Sequence, residues 1–371
     1  MVLNKAMKNV FEKGIVIVSA LLITALAALI IIIPDKEISQ KENRTLQQLP
    51  TFTLEKLKNG DLTEQTARYL VDQFPFRDSF VSLKAYCELA LLKRENNGVI
   101  YGKGGVLIPR GEIENERLEA NLNSISKLSS AVDRAVVIAP LPRTVDVYKN
   151  QLPKAYPYKE EAKIWQKLFS SNAKALDLRD ALEVEGSYYK TDHHYTTKGA
   201  YITYCALGDI LGYTPKSEDF FKKETVANDF CGTAMRTSGF YLAKKDEIKL
   251  YRYENDTEYT VIADKKEISL YDFEKLNTVD KYAVFLGGNH ARVDISNREQ
   301  GREKLLIIRD SFADSIAPFL ALHYDLTLID LRYYTDSVKQ LIETESIDKV
   351  LVLQSITELA TAKNISALQM P

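Results

Sequence analysis

The chain has 371 residues, 45% of them apolar and 27% charged, and a formal net charge of -2. That length serves one large α/β domain with attachments, or two domains, with a substantial core. The basic excess of a nucleic-acid protein and the polarity of a disordered chain are both lacking, so no nucleic acid is expected and a partner must be read from local features.

The first such feature is GIVIVSALLITALAALIIII, residues 14–33, an uncharged run of the length a helix needs to cross a bilayer. Lys5, Lys8 and Lys13 precede it. The positive-inside rule therefore leaves residues 1–13 in the cytoplasm and sends the rest outside, a single-pass cell-membrane protein with its main domain extracytoplasmic. A cleaved signal peptide is the alternative. It would carry a shorter apolar core and a small-x-small cleavage site, where this chain has Pro34, Asp35 and Lys36, so an uncleaved anchor is expected.

Residues 34–105 read as a stalk and helical region. DKEISQKENRTLQQLPTFTLEKLKNG, residues 35–60, is polar without a sustained period. Two helical patterns broken at Pro75 follow, the second over about Phe80–Arg94. VIYGKGGVLI reads as a hairpin turning at Gly102, Gly104 and Gly105. From residue 106 to 371 the chain reads as an α/β domain, with short β-rich runs alternating with helices and pointing to a mainly parallel sheet flanked by helices. Strands are expected near 134–140 (RAVVIAP), 173–178 (AKALDL), 282–288 (YAVFLGG), 304–310 (KLLIIRD), 326–331 (LTLIDL) and 349–354 (KVLVLQ). About 214–280 reads as a β-rich insertion whose Phe220, Phe221, Tyr241, Tyr251, Tyr253 and Tyr259 serve either as a sugar-stacking wall or as ordinary core and surface. Cys87, Cys205 and Cys231 allow at most one intramolecular disulfide, and without CxxC or HxxxH spacing no metal is expected.

Open α/β sheets place their sites in loops after the strands. The tetrapeptide RDSF occurs twice. At 77–80 no strand leads into it, and Asp78 or Ser79 reads as a helix N-cap. At 309–312 it follows LLII and leads into a helical pattern, so Ser311 sits at a strand-to-helix turn where its hydroxyl is exposed and backbone N–H groups face an oxyanion. A capping serine occupies the same geometry. A serine nucleophile needs a base and a group to orient that base. YYKTDHHY, residues 188–195, supplies both if it is extended, since Asp192 and His194 then share a face while His193 points elsewhere. A surface turn with incidental histidines would give the same string. Thr196, Thr197 and Gly199 then start a helix. His323 reads as core or surface. In FLGGNHARV, Gly288 and Asn289 offer either an oxyanion hole or a tight turn.

Taken together, SQKENRTLQQLP (39–50), DQFPFRDSF (72–80), YGKGGVLI (101–108), KTDHHYTTKGA (190–200), GGNH (287–290) and IIRDSFADSIAPFLALHYDLTLIDLRYY (307–334) resemble the DHHW family of bacterial surface proteins. More distantly, the chain is similar to alginate O-acetyltransferases with SGNH-hydrolase-like domains. Tyr195 stands where the family name expects tryptophan. The resemblance implies a circularly permuted SGNH-hydrolase-like α/β fold, because Asp192 and His194 precede Ser311, the reverse of ordinary SGNH hydrolases. It also implies the triad Ser311, His194 and Asp192, with Asn289, Gly288, Phe312, Tyr195 and His193 as candidates for oxyanion or substrate contacts. The expected activity is serine-dependent O-acyl transfer, acetyl above all, to a polysaccharide acceptor, with no cofactor. Acetyl-CoA is not expected outside the membrane, so a membrane-bound acyltransferase would supply the acyl group. An esterase or deacetylase with the same triad, and a silent polysaccharide-binding or assembly protein, are the alternatives.

Overall fold

A computed structural model describes residues 5–39, 41, 44–154, 156–158, 165–166, 174–297, 299 and 301–369. Its contacts divide the chain into two compact units, 1–88 and 89–371.

In the first unit, helix Lys5–Ile32 carries the apolar run, and Val10–Ile32 is the one span among the described residues long and apolar enough to cross a membrane. The segment read as an unpatterned stalk pairs back on itself, Ile38 opposite Thr45 and Ser39 opposite Arg44. Arg44 holds it to the helix Asp61–Asp72 through two hydrogen bonds to Asp72, at 2.6 and 3.0 Å. Gln40, Glu42 and Asn43 lie outside the described residues. The last helix of the unit, Arg77–Ala90, starts earlier than its pattern suggested and stops at Ala90. Asp78 and Ser79 therefore lie inside its first turn and not at its N-cap, since Phe76 at φ +58 turns the chain into the helix one residue earlier.

The second unit is built on an eight-stranded sheet. In chain order its strands are β1 Ala135–Ile138, β2 Lys174–Ala175, β3 Thr260–Ala263, β4 Lys266–Ile268, β5 Arg292–Ser296, β6 Lys304–Arg309, β7 Asp325–Ile329 and β8 Lys349–Leu353. They lie in the order β4-β3-β5-β7-β6-β8-β1-β2. β7, β6, β8, β1 and β2 are mutually parallel, and β5, β3 and β4 extend the edge antiparallel. The mainly parallel α/β reading is thus correct. β6 is buried on both faces, as strands between helix layers are. Leu305 and Ile307 pack with the helices Thr197–Leu211 and Ala313–Leu320, while Leu306 and Ile308 pack with Asn115–Ala131, Val338–Thr344 and Ile356–Thr361. Helix Asn115–Ala131 meets this layer through Leu118, Leu122, Ile125 and Leu128, a single face at helical spacing.

The turn at 99–108 is a hairpin, Val99–Tyr101 against Leu107–Pro109, with a third short strand at Glu95–Asn96. Three expectations need correction. YAVFLGG is not a strand: Lys281–Val284 forms a 3-10 turn, and Leu286, Gly287 and Gly288 take φ of +57, +77 and +114, which ends any extended run. The region 214–280 is not wholly an insertion, because β3 and β4 belong to the large sheet and only Lys222–Phe230 and Asp246–Arg252 form a hairpin of their own. The expected strand at 173–178 shrinks to two residues, and Ala173 lies outside the described ones.

Candidate active site

Ser311 is the middle residue of the three-residue turn between the end of β6 at Arg309 and the helix starting at Ala313. Asp310 shapes that turn. Its Oδ1 accepts the Phe312 N–H at 3.1 Å and its Oδ2 accepts the Ser355 N–H at 2.8 Å, so two chain segments are tied to one buried carboxylate. Burial raises the Asp310 carboxyl pKa against the pull of these bonds. The Phe312 amide is thereby occupied and is not a free oxyanion donor. The Ser311 amide makes no hydrogen bond to any described residue.

The loop bearing Asp192 and His194 is not extended. It is a series of bends closed by an isolated bridge between Tyr188 and Tyr195. Asp246 pins its start, accepting the Lys190 and Thr191 amides at 3.0 and 2.7 Å and the Thr191 hydroxyl at 2.6 Å. Thr196 caps the helix that ends it, its hydroxyl accepting from the Gly199 N–H. Within the loop Asp192 Oδ1 accepts the His194 backbone N–H at 3.0 Å, a side chain-to-backbone turn two residues long. The two side chains meet through that turn and not through strand alternation.

His194 Nδ1 lies 2.5 Å from Asp192 Oδ1 and its Nε2 lies 2.7 Å from Ser311 Oγ. A carboxylate only accepts, so Nδ1 carries the imidazole proton and Nε2 offers a lone pair to the serine O–H. Asp192 is 1% exposed and His194 6%, which keeps water from competing for these bonds. Asp192 Oδ2 accepts from the Thr233 N–H at 2.6 Å and the Thr233 hydroxyl at 3.0 Å. Burial opposes the Asp192 charge, but the two imidazoles and the hydrogen bonds to His194 outweigh it and hold the carboxyl well below its ordinary range. Gly232 stands directly behind: a Cβ there would run into the Asp192 Cβ and the Thr191 carbonyl.

The His194 ring is clamped between aromatic faces. Tyr282 stacks on it with centroids 4.0 Å apart and planes 12° apart, His193 lies 3.9 Å away on centroids, and Phe312 lies 4.8 Å away. Ser311, His193, Phe312, Thr233, Arg332 and Glu358 line a cleft of about 360 Å³.

The other sequence candidates fall differently. Tyr195 is fully buried, its hydroxyl donating to the Phe312 carbonyl at 2.7 Å, so it supports the nucleophile turn from inside. Gly288 and Asn289 are not among the residues that line the cleft, and Asn289 is solvent-exposed. His323 stacks on Tyr213 and hydrogen-bonds the Tyr204 hydroxyl at 2.8 Å, and burial lowers its pKa to about 4. Phe221, Tyr251 and Tyr253 are core residues, leaving Phe220 as the exposed ring of the expected wall. One ligand atom from each of Asp192, His193 and His194 lies within 4.8 Å of the others, the place where these side chains would hold a cation, but each of these side chains is already hydrogen-bonded. The three cysteines are free. Thr233, Gly232 and Tyr282 escaped the sequence reading: the first two meet Asp192 across 41 and 40 residues, and Tyr282 sat within an apolar run read as a strand.

Comparison with known proteins agrees with this frame. The family model described as DHHW protein matches residues 163–329. No curated protein matches the chain. Among solved structures, a DHHW family protein from Eubacterium siraeum superposes with a TM-score of 0.62 at 21% identity, over 74% of this chain and 96% of that one. Bacillus cereus PatB1 with a sulfonyl adduct superposes with a TM-score of 0.60 at 19% identity, over 73% and 98%. The O-acetyltransferase domain of Pseudomonas putida AlgJ aligns at 15% identity with a TM-score of 0.46, over 73% and 98%. The resemblance read from the motifs is the one found: in its matched segment and in its fold, the chain is similar to the DHHW proteins.

Proposed function

We propose that this chain is a membrane-anchored, extracytoplasmic serine O-acyltransferase that passes an acyl group, acetyl above all, through Ser311 to hydroxyls of a cell-surface or exported polysaccharide. The observation that carries the reading is the unbroken run from Asp192 Oδ1 through His194 to Ser311 Oγ, at 2.5 and 2.7 Å. His194 Nε2 takes the Ser311 proton as Oγ attacks the donor carbonyl, with the Ser311 amide facing the oxyanion. The tetrahedral adduct expels the donor's leaving group, which takes that proton from His194. An acceptor hydroxyl then gives its proton to Nε2 and attacks the Ser311 ester, and the proton returns to Ser311 as it leaves.

The helix Lys5–Ile32 would be the anchor, with residues 1–13 cytoplasmic, 14–33 in the membrane and the domain from 106 onward outside. The donor would be a membrane-bound acyltransferase, and no cofactor is required. The order of Asp192 and His194 before Ser311 supports a circularly permuted SGNH-hydrolase-like chain. Hydrolysis is the second reading, favoured by the openness of the cleft to solvent: water then competes for the same acyl-serine.

Sulfonyl fluoride capture tests the reading, a sulfonyl adduct being one form in which PatB1 was solved. The full chain should be sulfonylated at Ser311 and should turn over a chromogenic acetyl ester. Ser311→Ala and His194→Ala should lose both, and Ser79→Ala neither. Absence of labelling at Ser311 would replace the enzyme with a polysaccharide-binding or assembly protein.

A further inference from the structure

The neighbouring histidine of the loop has a geometry that the triad does not use. His193 Nδ1 lies 2.7 Å from Thr233 Oγ1, and that hydroxyl lies 3.0 Å from Asp192 Oδ2. Thr233 has a single hydroxyl proton. The carboxylate, buried and ionised, is the stronger acceptor and takes it, which leaves Thr233 Oγ1 a lone pair for the His193 Nδ1–H. Asp192 Oδ1, 3.5 Å from the same Nδ1, draws the proton to that nitrogen as well. His193 is thus fixed as the Nδ1–H tautomer, the minor one of a free imidazole in water.

The consequence lies at the other nitrogen. His193 Nε2 has no partner among the described residues, the side chain is 40% exposed, and it lines the cleft that holds Ser311. Its ring lies against that of His194, centroids 3.9 Å apart and planes 36° apart, and both Nδ1 atoms face Asp192. His193 and Ser311 line the same cleft, and with Nδ1 committed to Thr233 and Asp192 the Nε2 lone pair is the polar atom of this ring left for a ligand there.

We propose that His193 Nε2 accepts a hydrogen bond from a hydroxyl of the acceptor, holding a polyol beside the acyl-serine and favouring transfer over hydrolysis. The role of His193 rests on the acyl-transfer reading, whereas its tautomer does not. His193 transfers no proton and forms no bond to the acyl group. His194 remains the base, and His193 orients the incoming alcohol through a contact that a single water molecule uses less well than an anchored polyol.

Two measurements on the full chain in detergent test this. Nitrogen-15 NMR of the histidine-labelled protein at pH 7 should show His193 protonated at Nδ1, and Thr233→Val should raise the share of the Nε2–H form. An Nε2–H signal in the unaltered protein would overturn the proposal whatever the enzyme does. In the second, 4-nitrophenyl acetate acylates Ser311 and glycerol competes with water, the readout being the ratio of glyceryl acetate to acetate. His193→Asn keeps a polar group near the Nδ1 position and lacks one at Nε2, so the ratio should fall about three- to tenfold, the worth of one neutral hydrogen bond. His193→Gln, whose amide oxygen reaches the Nε2 position, should restore it. Equal ratios in all three proteins, or a loss that glutamine does not rescue, would sink the proposal. Failure of Ser311 to be sulfonylated would instead remove the acyl-transfer reading and leave the tautomer to be judged by NMR.

Discussion

The phenol ring of Tyr282 lies flat on the imidazole of His194, centroids 4.0 Å apart and planes 12° apart, while its hydroxyl donates towards the Ser311 carbonyl at 3.3 Å and lies 3.0 Å from Ser315 Oγ. One side chain thereby fixes both the plane of the base and the backbone of the nucleophile. Base and serine are held on different loops, so their separation depends on such bridges. Tyr282→Ala should lower kcat/KM for an acetyl ester by about ten- to a hundredfold, the range expected when a reacting pair is misplaced by about an ångström. Tyr282→Phe keeps the stack and loses the hydroxyl's contacts to Ser311 and Ser315, at about 1–2 kcal/mol of stability, and should retain most of the rate. Equal losses in the two variants would assign the effect to the hydroxyl and not the ring.

Asp192→Asn should leave the fold in place and reduce turnover by about three to four orders of magnitude, because an amide can donate to His194 Nδ1 and move the imidazole proton to the nitrogen that must accept from Ser311. The same substitution has a signature in stability. A carboxyl depressed by folding adds stability that is present above its unfolded value of about 3.9 and is lost as pH falls through the folded one. Asp192 is depressed by the two imidazoles and its hydrogen bonds to His194. Wild type should therefore lose stability in acid more steeply than Asp192→Asn, as read from urea midpoints between pH 5 and pH 2.5.

What the sequence made legible follows the range of each interaction. The setting of Ser311 could be read because an apolar strand and an amphipathic helix are both local patterns, and they meet at that residue. The pairing of Asp192 with His194 was found by spacing although the geometry differs, since a side chain-to-backbone turn and an extended strand both bring such a pair together. The strand Arg292–Ser296 did carry a period-two signal: Val293 and Ile295 face inward while Arg292 and Asp294 pair at 2.8 Å outside. YAVFLGG misled because buried 3-10 turns and buried strands draw on the same apolar residues, and only the backbone angles of Leu286 to Gly288 separate them. The grip of Thr233 on Asp192 joins residues 41 apart and leaves no mark in either local stretch.

Gly232→Ala tests that grip. The added methyl would meet the Asp192 Cβ and the Thr191 carbonyl, both set in a loop pinned by Asp246 and packed on the helix Thr197–Leu211. Overpacking of this kind costs about 1–3 kcal/mol and displaces what it strikes. The variant should lose ester turnover by more than its fall in melting temperature accounts for, measured well below the transition. Full activity in a folded Gly232→Ala would mean that Asp192 is not held where the triad requires it.

Beneath the nucleophile, Arg309 and Asp314 form an ion pair at 3.0 Å, with side chains 0% and 4% exposed. Removing two charges from water costs more than a single pair returns unless every hydrogen bond is met. Burial pushes the Asp314 carboxyl up to about 7 against the pull of Arg309, which marks the pair as costly. Arg309→Ala should destabilise by about 3–5 kcal/mol because it leaves the carboxylate buried alone. The double replacement Arg309→Met with Asp314→Leu removes both charges at similar volume, and Asp330 keeps its bidentate partner Arg332. It should match or exceed wild type in urea. A carboxyl raised by folding contributes stability that is complete below about pH 4, its unfolded range, and is lost as pH rises through the folded value. The margin of the double variant over wild type should therefore widen from pH 5 to pH 8. A margin that stayed constant would show that Asp314 is ionised throughout and that the pair, not the proton, carries the cost.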